Sequence, residues 1–192
     1  MDYQTYIPIA FLGLGLAASS GLNTFLPLLV LAHAAKLHLF GVNLNGSFAW
    51  LASDAALATL GMAAFAEIIG DKVPAMDHVL DAIGTIARPA AGALAAASVF
   101  HGTDPSQAAI LGLIIGAPTA FGFHAAKAGT RLTSSVGTFG LLNPLLSFLE
   151  DMAALIMVFT ALLAPFLVPF FVLGFAFALW KLLQFVRRKR RI

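Results

Sequence analysis

The chain contains no cysteine, which excludes disulfides, thiolate nucleophiles and cysteine-based zinc sites. Charge is scarce as well. Asp, Glu, Lys and Arg make up 10% of the residues, against roughly 25% in an ordinary soluble domain. So few charges cannot coat a soluble domain whose residues are 60% hydrophobic. No basic face with interleaved aromatics occurs, so a nucleic-acid partner has no support. HExxH, the phosphate-cradling P-loop, the dinucleotide fingerprint and the nucleophile elbow are all missing. The expectation is therefore a protein without metal, cofactor or enzymatic chemistry. The first residues also lack the basic stretch of a cleaved signal.

What is present is apolar length. The mean hydropathy is +0.92, and the lipid bilayer is the expected covering of such a surface. A helix needs about 20 mostly apolar residues to cross. Candidate spans are 7–35, 47–69, 78–100, 106–126, 136–164 and 165–186. Short alternating segments of a membrane barrel are lacking. The expected fold class is all-α: a polytopic helical membrane bundle of about six spans in one domain, 1–186, with a basic tail at 187–192. Five of the eleven Lys and Arg residues lie in that tail. Basic residues mark the cytoplasmic side, so the tail, and with six spans the N-terminus, are expected in the cytoplasm at the inner membrane. The tail also suits anionic lipid.

Three spans contain breakers: "SSGLNTFLP", "IGTIARP" and "VGTFGLLNP". Glycine loosens a helix and proline removes a backbone donor. Any carbonyl freed at membrane depth must face protein or a wet cavity. The first and fifth spans are too long to cross straight, so each is either tilted or a re-entrant hairpin bent near Ser20 or Glu150. A shift of 53 positions aligns Ser53-Asp54-Ala55-Ala56 with Ser106-Gln107-Ala108-Ala109, and Gly84-Thr85 with Gly137-Thr138. This hints at repeat units 47–100 and 106–153, a familiar design in transporters. Gly112 and Gly116 form a GxxxG packing signal.

The charges of the apolar body follow helical spacing. Glu67 and Asp71 share a face, as do Asp77 and Asp81 with Arg88 two turns further on. His124, Lys127 and Arg131 form a basic stripe, and Asn143 aligns with Glu150. The stripe reads as an orienting basic loop, or as a contact for phosphate, headgroups or the acids. Arg88 lies about 15 Å into its span at 1.5 Å per residue, near mid-bilayer. A charge there costs about 2.5–3.5 kcal/mol on the lenient scale. Glu150 and Asp151 sit at similar depth, so Arg88 is expected to pair with one or both.

The stretches "SSGLNTFLPLL", "EIIGDKVPAMDHVLD" with "RP", "GTR" with "SS", then "NP" and "ED" resemble a family of small bacterial membrane proteins defined only as a domain of unknown function. The resemblance implies a compact helical membrane fold and no activity. Two functional readings stand. The first is a small transporter or channel for a small polar solute or ion. Its charge-lined centre contains Arg88, Glu150, Asp151, Glu67, Asp71, Asp77, Asp81, Asn23, Asn143, Lys127 and Arg131, with proton coupling through Glu150, Asp151 or Glu67. The second is a non-transporting scaffold or lipid-binding protein whose charges lock helices together. At 20.1 kDa a transporter of this size is expected as a homodimer.

Overall fold

Good helix formers fill the apolar runs, and no strand occurs among the described residues. The structure, a computed structural model, describes residues 3–138 and 141–189. Among these lie eight α-helices: α1 (Tyr3–Leu22), α2 (Leu26–Lys36), α3 (Asp54–Gly70), α4 (Pro74–Val99), α5 (Pro105–Leu111), α6 (Ala117–Thr138), α7 (Asn143–Leu163) and α8 (Val168–Lys189). A π-helical turn at Gly112–Gly116 joins α5 to α6. Short 3-10 segments mark the connections at Leu39–Gly41, Gly46–Ala52 and Pro165–Leu167.

The first apolar run is broken at Asn23–Phe25. The Asn23 side chain accepts the Leu26 amide at 3.0 Å, and Pro27 occupies the first turn of α2. Both are helix-start signals placed directly after a helix end. The chain then turns back. Pro8 and Ile9 of α1 and His33 and Ala34 of α2 all border Phe40 in the following loop. The run is therefore a helical hairpin with its tip at Asn23–Phe25, not one long tilted helix. The end at which α1 starts is here termed the upper end.

α3 leaves the upper end, where Asp54 pairs with Lys36, and descends to the hairpin tip at Glu67. α4 rises again, and the Asn45 amide donates to Ser98 O at 2.7 Å, tying the upper loop to its end. α5 and α6 descend, α7 rises and α8 descends. α1 lies at the centre and packs on α4, α6, α7 and α8. Phe11 meets Phe166 and Gly15 faces Val168, while Leu22 packs near Phe175. α1 and α8 thus run the same way, and the start of α1 and the end of α8 lie at opposite ends of the bundle. An arrangement with the start of α1 and the end of α8 on one side needs these helices antiparallel, and here they run parallel.

Other expectations change too. α4 continues through "IGTIARP" despite Pro89, and α7 continues through Glu150 without a bend. "VGTFGLLNP" connects α6 to α7 rather than interrupting a span, with Phe139 and Gly140 outside the described residues. Gly84-Thr85 lies within α4, whereas Gly137-Thr138 closes α6. Six spans were expected. Among the described residues three helices are long and apolar enough to cross a membrane: Val79–Val99, Pro105–Leu132 and Asn143–Leu163. Gly46–Ala52 with Asp54–Gly70, bent by 64°, makes a fourth.

Small residues bring α1, α4 and α6 into backbone contact. A Cβ at Gly116 would lie 2.3 Å from Gly92 O, and one at Gly21 would lie 2.4 Å from Ala120 O. The GxxxG pair thus packs the π-helical turn before α6 onto α4, as its spacing predicts. Gly116→Ala is expected to cost about 1–3 kcal/mol through overpacking, read as a lower thermal midpoint in detergent. Gly122 has open space around its Cβ position. Gly122→Ala should therefore raise the midpoint, by the equivalent of about 0.5–1 kcal/mol.

Candidate functional site

The break between α1 and α2 leaves backbone groups that hydrocarbon cannot satisfy. Charged side chains take them. The Thr24 amide donates to both Glu67 oxygens, at 3.0 and 2.9 Å, and the Phe25 amide donates at 3.2 Å. The Thr24 hydroxyl adds a bond of 2.8 Å to the same carboxylate. On the other side of the break, Lys127 Nζ donates to Leu22 O at 2.9 Å. The positive start of α2 therefore meets an anion and the negative end of α1 a cation, the favourable sense for both helix dipoles.

Arg88 is fully buried. Its Nη2 reaches Glu67 at 3.4 Å and its Nη1 reaches Asp81 at 3.5 Å. Nη1 also lies 2.7 Å from His124 Nδ1. A guanidinium only donates, so Nδ1 must accept and the imidazole proton sits on Nε2. That nitrogen lies 3.2 Å from the Thr85 hydroxyl, which donates in turn to Asp81 O. The chain of donors from Arg88 through His124 to Thr85 fixes one tautomer.

Two further groups complete the centre. Asp151 accepts from Asn23 Nδ2 and from Lys72 Nζ, each at 3.0 Å. Asp71, in the turn after α3, accepts from Lys127 at 2.6 Å and from Arg131 at 3.2 Å. Arg131 also holds Glu150, through Nε at 3.1 Å and through Nη2. Lys127 lies 3.4 Å from Glu150. Burial pulls the Asp71 pKa upward, but Lys127 and Arg131 outweigh it and leave the group below the ordinary carboxylate value.

The expected pairing of Arg88 with Glu150 or Asp151 is not what forms. α4 and α7 each pack on α1 rather than mainly on one another, and Arg88 meets Glu67 and Asp81 instead. The α7 acids meet Lys72, Lys127 and Arg131. Glu67, Asp71, Asp81, Asn23, Lys127 and Arg131 are all drawn into the network. Asn143 is buried two turns below Glu150, and the side chain of Asp77 lies outside the described residues. Lys72, Thr24 and Thr85 were not among the residues expected to line the centre, and His124 was expected only on the basic stripe. His124 stood on the stripe with Lys127 and Arg131, so its spacing carried the signal, whereas Thr24 carries none. Among the described residues no group of three His, Asp or Glu side chains is placed to hold a metal ion.

A cavity of about 620 Å³ runs beside this network, between α6, α7 and α8. Its walls are mostly apolar, with Phe123 stacked on Phe175 at a centroid distance of 4.0 Å. Lys127, Thr130 and Glu150 border it as well.

These features define a class: a protein helical throughout its described elements, with helices long and apolar enough to span a membrane and an ionic centre buried at a broken helix. The family model described as a domain of unknown function, DUF4126, matches residues 10–185, and the chain belongs to that family. No curated protein and no solved structure matches.

Removing one partner of a buried pair typically costs about 3–5 kcal/mol, because the other charge is left uncompensated. Lys127→Met should therefore lower the unfolding free energy by several kcal/mol, and Asp71→Asn should do likewise. The double variant should lose clearly less than the sum of the two. Equilibrium unfolding in detergent measures the coupling, and strict additivity would mean that the two groups do not interact.

Proposed function

We propose that the protein is a small membrane transporter that carries a small polar solute or ion, coupled to protons, past the hairpin tip. The observation that carries this reading is the broken helix whose two ends converge on one charged centre. Transporters bind solute and coupling ion at such discontinuous helices, where half-helix ends supply partial charges. Ionisable groups within membrane-spanning helices mark ion and proton pathways by default. Here Glu67 and Lys127 occupy the positions that a solute or ion would take, so the arrangement corresponds to a closed state. Opening requires Glu67 to release Thr24 and Phe25. A homodimer suits the small size of the chain.

One observation favours a second reading, a non-transporting lipid-binding scaffold. The large cavity is apolar along most of its wall, with Lys127 and Glu150 at its border. An acyl chain fits such a surface better than a polar solute does. In that reading the ion pairs only lock the helices in register.

Flux into liposomes containing the purified protein separates the two. The expected result is movement of a solute, ion or proton whose response to an imposed pH gradient is lost in Glu67→Ala. If nothing moves under any gradient, the transport reading fails.

We further propose that the basic lower end faces the cytoplasm at the inner membrane, with the tail near anionic lipid. The start of α1 then lies on the opposite side. Since the chain has no cysteine, Gln4→Cys and Lys189→Cys give single labels without background. An impermeant maleimide applied to intact cells should modify the first and spare the second. Equal labelling of both would contradict the arrangement.

A further inference from the structure

Glu67 is held as a ligand is held. Its carboxylate receives two backbone amides, one hydroxyl and one guanidinium, all from residues distant in sequence. Three of these donors come from the hairpin tip and one from α4. Arg88, which supplies the last, has no solvent exposure, and its Nε has no partner. A helix start, a buried arginine and a hydroxyl converging on two oxygens form a receptor for a carboxylate. The protein's own side chain fills it.

From this we infer, resting on the transport reading, that the solute is a small carboxylate anion. It takes over the donors at Thr24, Phe25 and Arg88 while Glu67 leaves them carrying a proton. The charge balance dictates the coupling. Arg88 already faces Asp81 on its own helix and neutral His124 on α6. Asp71 stands one turn below Glu67 on α3, with Lys127 and Arg131 of α6 upon it. From α1 and α2 the facing groups are the tip amides and the Thr24 hydroxyl. Among the described residues a second full negative charge beside Glu67 finds no further cation on this side of the network. Transfer of one proton from water to the Glu67 carboxylate restores the original charge when one anion arrives. Anion and proton therefore travel together, and for a monoanion the cycle moves no net charge.

The test uses the purified full chain in liposomes, with radiolabelled lactate and succinate as probes and with potassium, choline and sorbitol as comparison solutes. Protein-free vesicles give the leak. Carboxylate uptake should rise when the outside is made acidic. Arg88→Gln should cut it by about tenfold or more, the loss of one charge-assisted hydrogen bond. Glu67→Gln, permanently neutral, should abolish the response of carboxylate movement to the pH gradient. Movement of potassium, choline or sorbitol without either carboxylate overturns the inference and leaves the transport reading standing. Movement of no solute overturns the transport reading itself. An unchanged pH response in Glu67→Gln also overturns the inference. A measurement on the unaltered protein covers variants that fail to fold. Lactate or succinate should raise its thermal midpoint in detergent, more at acidic than at neutral pH, and equal midpoints with chloride would count against the site.

Discussion

A chain that stops being helical inside a bilayer must find partners for the backbone groups it exposes, because hydrocarbon offers none. The structure depends on how that demand is met at Asn23–Phe25. Neutral partners would suffice for hydrogen bonding alone. Instead the two amides meet a carboxylate and the carbonyl meets an ammonium, so that each half-helix ends on a full charge of favourable sign. Those two charges then need partners of their own. Glu67 draws in Arg88, Arg88 draws in Asp81 and His124, and Lys127 draws in Asp71 and Glu150. The network is the consequence of one broken helix.

Such a network is poor evidence of stability. The desolvation of paired ions offsets most of their attraction, and apolar replacements of similar volume are often as stable. What it specifies is a single arrangement. Each acid in it can be satisfied by few cations, and each cation reaches across to another helix. Arg131 joins α6 both to the turn after α3 and to α7, and Lys127 joins α6 to α1 as well. Shifting any of these helices by one turn would leave a buried charge unpaired, at a cost of several kcal/mol. The glycine contacts above the network act in the same direction, since Gly92 and Gly116 admit only one close approach of α4 and α6.

Composition, helical class, the break at "SSGLNTFLP" and most of the charged residues of the ionic centre were legible in the sequence because each rests on local chemistry. Hydropathy needs no partner, and Asn23 and Pro27 act within one turn. Pairing was not legible. Depth along each span placed Arg88 level with Glu150 and Asp151, but depth says nothing of azimuth, and α4 and α7 each pack on α1 rather than mainly on one another. The basic stripe of His124, Lys127 and Arg131 resembled an orienting loop because the end of the fourth span was drawn at residue 126. Helix α6 in fact continues to Thr138 and carries the stripe into the acids. The run of 29 residues that hydropathy reads as one pass is a descent and a return, because Asn23 and Pro27 start a second helix within it.

Exposure within the network is graded from its buried centre towards the lower end. The side chains of Arg88, Lys127 and Asp71 have none, and Glu67 has 5%. Asp151, Glu150 and Asp81 rise to 10, 12 and 16%, and Lys72 reaches 35%. Above the tip lie Leu16, Leu31, Ala95, Val99 and Val158, all packed in one apolar cluster. Water meeting the molecule from above faces that apolar layer, whereas from below it already reaches Lys72. The Lys72–Asp151 pair is the outermost link, and Asp151 also holds Asn23, the residue that starts α2. Loss of that link frees Asn23 before any fully buried charge is disturbed. The lower end is thus the side from which the hairpin tip is most readily reached, and rearrangement there does not require the glycine-packed upper half to move.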